Sequence, residues 1–323
     1  MRWIADAEVR RRLDVATAIA LVDRALQSYR LGRAEAAPRT VLEHDGSSLV
    51  VMPGRVEGVR GLKVLSIRPQ NRAQGLPTTQ GLVVVLDGRS GQPLGTLAAD
   101  ALTRIRTAAI AGQATRVLAP EDATTMFLAG AGAQARDQVE AVLAVRPIRQ
   151  VLLWNRSRQG AEALAQALTR AHPEILCEVV GEPREACRAQ VVTLATSACE
   201  PLLGPADVAE RCHINAMGSF RPHCRELSGE LVAGCRIYAD TLPGCLEEAG
   251  DLLLPLEAGL IKREQVSELA EARPGPSPRT LMKSVGSAIF DLACAAWLLQ
   301  DDRRPHGLGA DARLTEPADQ LGR

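Results

Sequence analysis

The chain is poor in aromatic residues, carries no net charge and contains no long apolar run. Its 323 residues include three Trp, three Phe and two Tyr, so few aromatic surfaces are available for stacking nucleic-acid bases. Lysine plus arginine equals aspartate plus glutamate at 38 each, which gives no overall field for a polyanion or an anionic membrane. Apolar runs such as 82–86 and 191–195 are far shorter than the roughly 20 residues that a bilayer requires. We therefore predict no nucleic-acid or membrane partner, and an arginine-rich start without an apolar signal core favours a cytoplasmic protein.

The spacing of zinc ligands is also absent. The 8 cysteines lie mostly ten to thirteen residues apart without a C-x-x-C pair, and the 5 histidines are scattered, so we predict no metal site. We expect the cysteines to be free, mostly buried thiols. His213 precedes an apolar strand and is expected to be a hydrogen-bonded core residue. No G-x-S-x-G elbow is present, which disfavours nucleophilic hydrolysis.

The first third of the chain changes its hydrophobic period twice. Apolar residues recur at helical intervals between 4 and 31, with Asp14 as the predicted helix cap. Short β-rich runs between 39 and 97, punctuated by Pro and Gly, predict a mainly antiparallel sheet. Residues 100–118 return to a helical period.

The middle of the chain shows a different organisation. Strand-like and helix-like segments alternate from 124 to about 240, which indicates a parallel sheet with helices on both faces. The proline-rich segment 272–278 is predicted to be a loop, and the polar tail after Asp301 is expected to be mobile. A chain of this length with two such regions predicts two domains.

The most informative segment is a glycine-rich turn between two apolar strands. It reads GAGAQA at 130–135, after one strand and before a helical segment and a second strand. Gly130 permits a tight strand-to-helix turn, and Gly132 lets backbone N–H groups approach a pyrophosphate at the positive end of the helix. The order of strand, turn, helix and strand predicts a dinucleotide site. The residues predicted to contact the cofactor here are Gly130, Gly132, Ala133 and Gln134.

The end of the second strand indicates which dinucleotide binds. An Asp or Glu at this point bonds the ribose hydroxyls of NAD, whereas an Arg accommodates the 2′-phosphate of NADP. This chain has Asn155, Arg156 and Ser157, which offer an amide, a guanidinium and a hydroxyl to a phosphate dianion. We therefore predict NADP(H) as the preferred cofactor, with NAD(H) as the alternative.

Further cofactor contacts are predicted at two later strand ends. Nucleotides bind at the carboxyl edge of an open α/β sheet. Thr193, Ala195 and Thr196 end one predicted strand, and Met217 ends the next.

These motifs give the chain a family likeness. From Arg39 to Trp297 it resembles the ornithine cyclodeaminase and mu-crystallin family, and the order and spacing of the matching motifs together are highly specific. The matching segments are GLK at 61–63, GLP at 75–77, DGRSGQPLGTLAADALTRIRT at 87–107, GAGAQA at 130–135, WNRS at 154–157, HINAMGSFRPHCREL at 213–227 and KSVG at 283–286.

The resemblance implies an α/β fold in which a Rossmann-type doubly wound parallel sheet is inserted into a mainly antiparallel α+β domain. That α+β domain would bind substrate and form the dimer. We place it at residues 1–115 plus 288–323, and the Rossmann dinucleotide-binding domain at 116–287. The resemblance also implies a homodimer that acts on a small cyclic imino acid or amino acid.

The resemblance further implies which residues bind the substrate. Arg39, Lys63 and Arg106 fall at family positions that hold the substrate carboxylate and line the reacting carbon. A guanidinium fork fixes a carboxylate bidentately and leaves the α-carbon facing the nicotinamide, while Lys63 could contribute charge or a proton. Lys63 and Arg106 are therefore the candidate catalytic residues.

The segment at 283–286 matches a family segment near the nicotinamide. It predicts that Ser284 and Gly286 contact the cofactor. Lys283 is expected at a helix start, where its stem could extend along apolar surface. Asp291 is expected to be a structural residue of the following helix.

One departure from the family pattern concerns Phe220. The cyclodeaminases carry an Asp in the segment after Gly218, where it handles protons or the amino group, but this chain reads GSFRP at 218–222. Phenylalanine has no donor, acceptor or titratable proton, whereas cyclodeamination needs a positioned acid–base group. We therefore predict that Phe220 is an apolar wall that contacts a ring substrate.

Reduction of a cyclic imine requires less of the protein. Hydride delivery to a protonated imine needs mostly orientation and charge. We expect an NAD(P)H-dependent ketimine reductase acting on CH–NH bonds, which reduces Δ1-pyrroline-2-carboxylate or Δ1-piperideine-2-carboxylate to L-proline or L-pipecolate with NADPH preferred.

Three alternatives stay open. They are alanine dehydrogenase-like or opine-like reductive amination, ornithine cyclodeaminase activity, which Phe220 disfavours, and a nucleotide-binding protein without turnover. The retained Lys63 and Arg106 argue against the last of these.

Overall fold

Two β-sheets organise the protein. The structure, a computed structural model, describes residues 2–273, 275 and 278–300. The tail after Asp301 and part of the predicted proline-rich loop at 272–278 lie outside the described residues.

The first sheet has seven strands and is mainly antiparallel, as predicted. Its strands are β1 (Arg2–Ile4), β2 (Ala34–Ala36), β3 (Thr40–His44), β4 (Ser47–Val56), β5 (Val59–Ile67), β6 (Thr79–Asp87) and β7 (Pro93–Ala98). They lie in the order β1-β7-β6-β5-β4-β2, with β3 paired to β4, and only β1 and β7 run parallel to each other.

Four helices pack with this sheet. They are α1 (Asp6–Arg12), α2 (Val15–Arg30), α3 (Ala99–Leu118) and, from the other end of the described chain, α9 (Ala288–Gln300). The predicted cap of α2 is confirmed, because the Asp14 carboxylate accepts a hydrogen bond from Thr17 N at 2.7 Å. The helical period predicted from residue 4 to residue 31 contains more than one element, since β1 and α1 precede α2.

The second sheet has eight strands, and all of its pairs are parallel. Its strands are β8 (Thr125–Ala129), β9 (Gln150–Trp154), β10 (Leu176–Val179), β11 (Val191–Leu194), β12 (Cys212–Ala216), β13 (Arg236–Ala239), β14 (Val266–Glu268) and β15 (Arg279–Lys283). They lie in the order β10-β9-β8-β11-β12-β15-β13-β14. The accompanying helices are α4 (Ala135–Leu143), α5 (Arg158–Ala171), α6 (Gly229–Ala233), α7 (Leu242–Glu248) and α8 (Gly250–Glu257).

Two helices relate the sheets to the site. Helix α3 contacts β6 of the first sheet and β12 of the second, and most of its residues are buried. Helix α9 returns to the first sheet and packs across β4, β5 and β6. The chain therefore leaves the first sheet after α3 and comes back to it in α9. The predicted domain boundaries, 1–115 plus 288–323 and 116–287, stay a prediction.

Strand β15 was not foreseen from the sequence. It lies between β12 and β13 in the middle of the second sheet, so Lys283 ends a strand and the expectation that it starts a helix is wrong. The arginine and threonine that begin β15 weaken its apolar signal, and its position between two strands is a long-range feature.

The cysteines differ from expectation in one respect. Cys199 and Cys224 form a disulfide, so the prediction that all eight are free thiols is wrong. These two residues follow the adjacent strands β11 and β12, and this proximity in space is invisible in their sequence spacing. The free cysteines include buried Cys212, Cys245 and Cys294, while Cys187 is exposed.

No helix within the described ranges combines the length and the hydropathy needed to cross a bilayer.

The close approach of α9 to β5 gives a first prediction. An added Cβ at Gly61 would lie 2.0 Å from the Val84 carbonyl oxygen and 2.9 Å from Leu292 Cδ2. Gly61→Ala should therefore lower the free energy of unfolding by about 3 kcal/mol, because neither backbone nor packed helix can yield cheaply. Urea denaturation measures this change. Gly58→Ala is the matched control, since a Cβ there meets no atom within 4 Å, and equal losses in the two variants would contradict the packing argument.

Candidate active site

Three buried charged side chains from three elements meet at one point. Lys63 on β5 and Arg106 on α3 both bind the carboxylate of Asp291 on α9. Lys63 Nζ lies 2.9 Å from Asp291 Oδ1, and Arg106 Nε lies 3.0 Å from the same oxygen. The three residues are 1%, 4% and 0% exposed, respectively. The two predicted catalytic residues are thus brought together, and Asp291, which was expected as a structural residue of the helix, is the acid that pairs with both.

The cluster has one negative charge for two positive ones, and it leaves two polar atoms unpaired. Arg106 Nη1 and Asp291 Oδ2 are buried and have no hydrogen-bond partner among the described residues. A buried polar atom without a partner is costly, so both atoms are available to bond a ligand. Burial, and then repulsion by Arg106, lowers the pKa of Lys63 to about 8 against the opposing attraction of Asp291. The cluster can therefore accept an anion and hold a transferable proton.

Gly286 forms one wall of this cluster. It has φ +79°, and a Cβ there would lie 2.5 Å from Arg106 Nη1, so only glycine allows the guanidinium to pack against the backbone. Its N–H donates to Asp240 Oδ2 at 2.8 Å, and the Ser284 hydroxyl donates to the same oxygen at 2.6 Å. Asp240 therefore fixes the segment that carries both predicted residues.

Arg39 lies beside Gly286 and is already engaged. Its Nε lies 2.6 Å from Glu248 Oε1, and its Nη2 donates to the carbonyl oxygens of Val285 and Gly286 at 3.0 and 3.1 Å. Burial raises the pKa of Glu248 to about 7, although Arg39 opposes the rise. Arg39 also lines a cavity together with Met52, Gly286 and Ala288. A substrate carboxylate that binds Arg39 has to share it with Glu248.

The glycine-rich turn has the shape that a dinucleotide requires. Gly130 has φ +105°, and a Cβ there would lie 2.5 Å from the Ala195 carbonyl oxygen, so the position admits glycine alone. A Cβ at Gly132 meets no atom within 4 Å, which leaves open space in front of the backbone just before α4. An open backbone at a helix N-terminus binds phosphate groups. The residues at this turn therefore fit a pyrophosphate.

The predicted phosphate-binding residues follow β9. Asn155 serves the turn itself, since its Oδ1 accepts from Ala131 N at 3.2 Å and its amide donates to the Ser157 carbonyl oxygen at 2.9 Å. Arg156 and Ser157 are exposed, and the Arg156 guanidinium has no partner in the described part of the chain. Arg158, by contrast, is paired with Glu162 at 2.9 Å. Asn155 thus positions the loop, whereas Arg156 is exposed at the strand end.

A fully buried carboxylate, Glu226, supports the strand ends on the other side. Its Oε1 accepts from the backbone N–H and the hydroxyl of Thr196 at 2.8 and 2.7 Å, and its Oε2 accepts from Gly218 N and Ser219 N at 2.9 and 3.3 Å. Burial raises the pKa of Glu226, and the nearby charge of Lys283 opposes that rise. The predicted cofactor residue Thr196 is held by this contact.

The Glu226 carboxylate belongs to a second buried ion-pair group. Asp251 Oδ1 accepts from Glu226 N at 2.7 Å, and Asp251 Oδ2 lies 2.8 Å from Lys283 Nζ, which also donates to the Ser219 carbonyl oxygen at 2.6 Å. Burial lowers the pKa of Lys283, but attraction by Asp251 and Glu226 outweighs it and the net direction is upward. Sequence reasoning missed Glu226 and Asp251, because an isolated acidic residue carries no local signal of its buried partner.

The remaining predicted residues lie around these strand ends. Thr193 is inside β11, fully buried, and accepts from Asn215 Nδ2 at 3.4 Å. Ala195 and Met217 follow β11 and β12, and their N–H groups bond the neighbouring strands. Phe220 is 47% exposed, so its predicted role as a substrate wall stays a prediction.

The prediction for His213 is confirmed. It is fully buried, and its ring nitrogens bond Thr280 Oγ1 and Asn215 Oδ1 at 2.9 and 3.0 Å. Burial lowers its pKa to about 3, so it is a neutral core residue. In the described ranges, no group of three His, Cys, Asp or Glu side chains is arranged to hold a metal ion.

Known proteins share both the sequence and this fold. The family model for the ornithine cyclodeaminase/mu-crystallin family matches residues 2–304. A Δ(1)-pyrroline-2-carboxylate reductase from Bacillus cereus is 32% identical over 313 residues, which cover 93% of this chain and 96% of that relative.

Solved structures agree with this match. The structure of Thermococcus litoralis Δ(1)-pyrroline-2-carboxylate reductase in complex with NADH and L-proline has a TM-score of 0.89 at 30% identity, and the match covers 97% of this chain and 100% of that one. An archaeal alanine dehydrogenase dimer with bound NAD has a TM-score of 0.88 at 28% identity, with 93% and 95% covered. The predicted resemblance and the predicted fold class are both confirmed.

The second buried ion-pair group leads to a stability prediction. Of the three lysines in the chain, Lys63 and Lys283 are buried and Lys262 is exposed. Lys283→Met should cost about 3–5 kcal/mol in the free energy of unfolding, because it leaves Asp251 and Glu226 buried without their cation. Chemical denaturation gives this value, and Lys262→Met serves as the control with little expected change. If Lys283→Met lowers the free energy of unfolding no more than Lys262→Met does, the ion pair between Lys283 and Asp251 does not stabilise the fold.

Proposed function

The chain belongs to the ornithine cyclodeaminase/mu-crystallin family, and on this premise we propose that it is an NAD(P)H-dependent imine reductase. The proposed substrate is a cyclic ketimine carboxylate, Δ1-pyrroline-2-carboxylate or Δ1-piperideine-2-carboxylate, and the product is L-proline or L-pipecolate. The observation that carries the proposal is the buried cluster of Lys63, Arg106 and Asp291, with its unpaired guanidinium nitrogen. The named activity of the B. cereus and T. litoralis relatives supports the same reaction.

Each cation at the site has a proposed role. Arg106 Nη1 offers a charged donor to the substrate carboxylate, and Arg39 offers a second one beside Gly286 if Glu248 releases it. Lys63 holds a proton that can pass to the ring nitrogen, and solvent then restores it. A reduced nicotinamide, when bound, supplies the hydride that adds to the imine carbon. The C=N bond thereby gains one hydride on carbon and one proton on nitrogen.

NADPH is the proposed preferred cofactor. Arg156 is exposed at the end of β9 and has no ion-pair partner in the described part of the chain, and the residues that directly follow the strand, Asn155, Arg156 and Ser157, include no acid. Two solved relatives are described with NADH and with NAD, so NADH use by this chain belongs to the same proposal. The residues proposed to hold the dinucleotide are Gly130, Gly132, Ala133, Gln134, Asn155, Arg156, Ser157, Thr193, Ala195, Thr196, Met217, Ser284 and Gly286.

We also propose a homodimer built on the domain formed by residues 1–115 and 288–323, with 116–287 as the inserted dinucleotide-binding domain. The archaeal alanine dehydrogenase dimer supports this assembly. A cytoplasmic location stays a prediction.

Reductive amination is the second candidate function. The similarity to an alanine dehydrogenase over 93% of this chain favours it. Phe220 argues against it, because the side chain can neither bind nor move a proton of ammonia. Pyruvate plus ammonia is therefore the competing substrate pair in any assay.

The imine assay tests the proposed function together with its pH dependence. We expect NADPH oxidation with Δ1-pyrroline-2-carboxylate or Δ1-piperideine-2-carboxylate, and none with pyruvate plus ammonia or with L-ornithine and NAD. Because the donor form of Lys63 is present below its pKa of about 8 and lost above it, kcat/KM should fall about tenfold per pH unit on the alkaline side. Lys63→Met should lower the rate about 100-fold or more and remove this limb. Imine-independent NADPH oxidation, or a flat profile to pH 10, would contradict the proposal.

The cofactor preference is tested by charge reversal. Arg156→Asp should lower kcat/KM for NADPH about tenfold to a hundredfold while sparing NADH, because a charged hydrogen bond to the 2′-phosphate is replaced by repulsion. Steady-state kinetics with both cofactors measure the ratio. Arg184→Asp is the control, since Arg184 is exposed and paired with Glu182. An unchanged NADPH to NADH ratio would refute the phosphate assignment.

A further inference from the structure

The two carboxylate oxygens of Asp291 differ in their contacts within the described part of the chain. Oδ1 accepts from both Lys63 and Arg106, while Oδ2 is buried and has no hydrogen-bond partner among the described residues. The two ion pairs therefore account for Oδ1 of the carboxylate and leave Oδ2 without an assigned contact. A fully buried carboxylate oxygen that accepts nothing is costly, so it points to a donor that arrives with a ligand.

The unpaired atoms of the cluster form a complementary pair. Arg106 Nη1 is a charged donor and Asp291 Oδ2 is a charged acceptor, and the two side chains are joined through Asp291 Oδ1. A ligand that bonds to both atoms offers an acceptor, best an anion, to Arg106 Nη1 and a donor, best a cationic N–H, to Asp291 Oδ2. An α-iminium or α-ammonium carboxylate has this arrangement, because its carboxylate and its nitrogen are attached to the same carbon.

We propose that Asp291 is a substrate-binding residue whose Oδ2 accepts the N–H of the protonated ring nitrogen while Arg106 Nη1 binds the carboxylate. This assignment rests on the proposed function and adds the group that recognises the nitrogen. The cavity beside Arg39 lies next to this cluster: it is lined by Ala288, one turn before Asp291 on the same face of α9, and by Gly286, which packs against Arg106, although Asp291 itself does not line it.

The proposal also accounts for the charge during proton transfer. Before transfer, the carboxylate of Asp291 faces the cation of Lys63; after transfer, the cation is the iminium nitrogen and Lys63 is neutral. Arg106 stays paired with Asp291 throughout, and the transfer moves the second positive charge from Lys63 to the ring nitrogen beside the same carboxylate. The iminium that accepts the hydride is stabilised by the same contact.

Other carboxylates around the site are already committed. Asp240 uses Oδ1 for Thr241 N and Oδ2 for Ser284 and Gly286. Glu248 is paired with Arg39. Glu268 also keeps one unpaired oxygen, but its contacts are with Tyr29 and Leu242. Among the described residues, Asp291 is thus the carboxylate that combines a free oxygen with direct contacts to Lys63 and Arg106.

A pair of ring ligands that differ only at the ring heteroatom tests this assignment. L-Proline carries a cationic N–H, and (S)-tetrahydrofuran-2-carboxylate has an ether oxygen in its place. With the oxidised cofactor present, we expect calorimetry on the wild-type protein to show at least tenfold tighter binding of L-proline. Asp291→Asn should bring the ratio of the two dissociation constants close to one. Any effect of the lost charge on the ligand carboxylate is common to both ligands and cancels in the ratio.

The controls separate ligand recognition from folding. Asp23→Asn changes a carboxylate of α2 that is bonded to Gln113 and Arg116 and belongs to neither buried group, so it should keep the wild-type ratio. Asp291→Glu keeps the charge and should retain part of the preference if Asp291→Asn does not fold. A wild-type ratio near one, or a ratio that survives Asp291→Asn, would overturn the proposal. Imine turnover without the preference for L-proline would refute the role of Asp291 alone, whereas absence of imine turnover would refute the proposed function.

Discussion

The site depends on one carboxylate from near the end of the described chain that pairs with two cations from its first third. Without Asp291, Lys63 and Arg106 would be two like charges buried side by side. The loss of hydration and the mutual repulsion would both oppose that arrangement. With it, β5, α3 and α9 are joined at a single oxygen. The return of α9 to the first sheet is therefore a requirement of the site as well as of the core, and Gly61 is small enough to let the helix come close.

The second sheet has its own buried polar group with a related function. Glu226 collects four hydrogen bonds from the loops after β11 and β12, and Asp251 ties its backbone to Lys283 at the end of β15. Irregular loops at a sheet edge have no regular backbone partners, so buried side chains must provide them. Asp240 performs the same task for the segment at 284–286. The two groups together hold the walls between which a nicotinamide and a small acid would meet.

Much of this architecture could be predicted from local pattern. The antiparallel and parallel sheets, the helix that begins after Asp14, and the turn at Gly130 each leave a signal within a few residues, because periodicity, capping and positive φ are local properties. The family resemblance extended these signals to Lys63, Arg106 and Gly286. The prediction of eight free thiols failed since the Cys199–Cys224 bond depends on two loops being neighbours. The central position of β15 and the burial of Lys283 were not predicted for the same reason, because both depend on which segments are neighbours in the folded chain.

Local sequence pattern predicted most of the elements and the glycine-rich turn, and the family resemblance singled out Lys63 and Arg106. Only the folded chain shows which acid pairs with them, since Asp291 is 228 residues from Lys63 and 185 from Arg106. It also decided that Arg39 is shared with Glu248 and that Asn155 supports the glycine-rich turn. The physical reason is that the interaction between two charges depends on their distance in space and not on their separation in the sequence. The partner of an acidic residue on an apolar helix is therefore known only once the position of the helix in the fold is known.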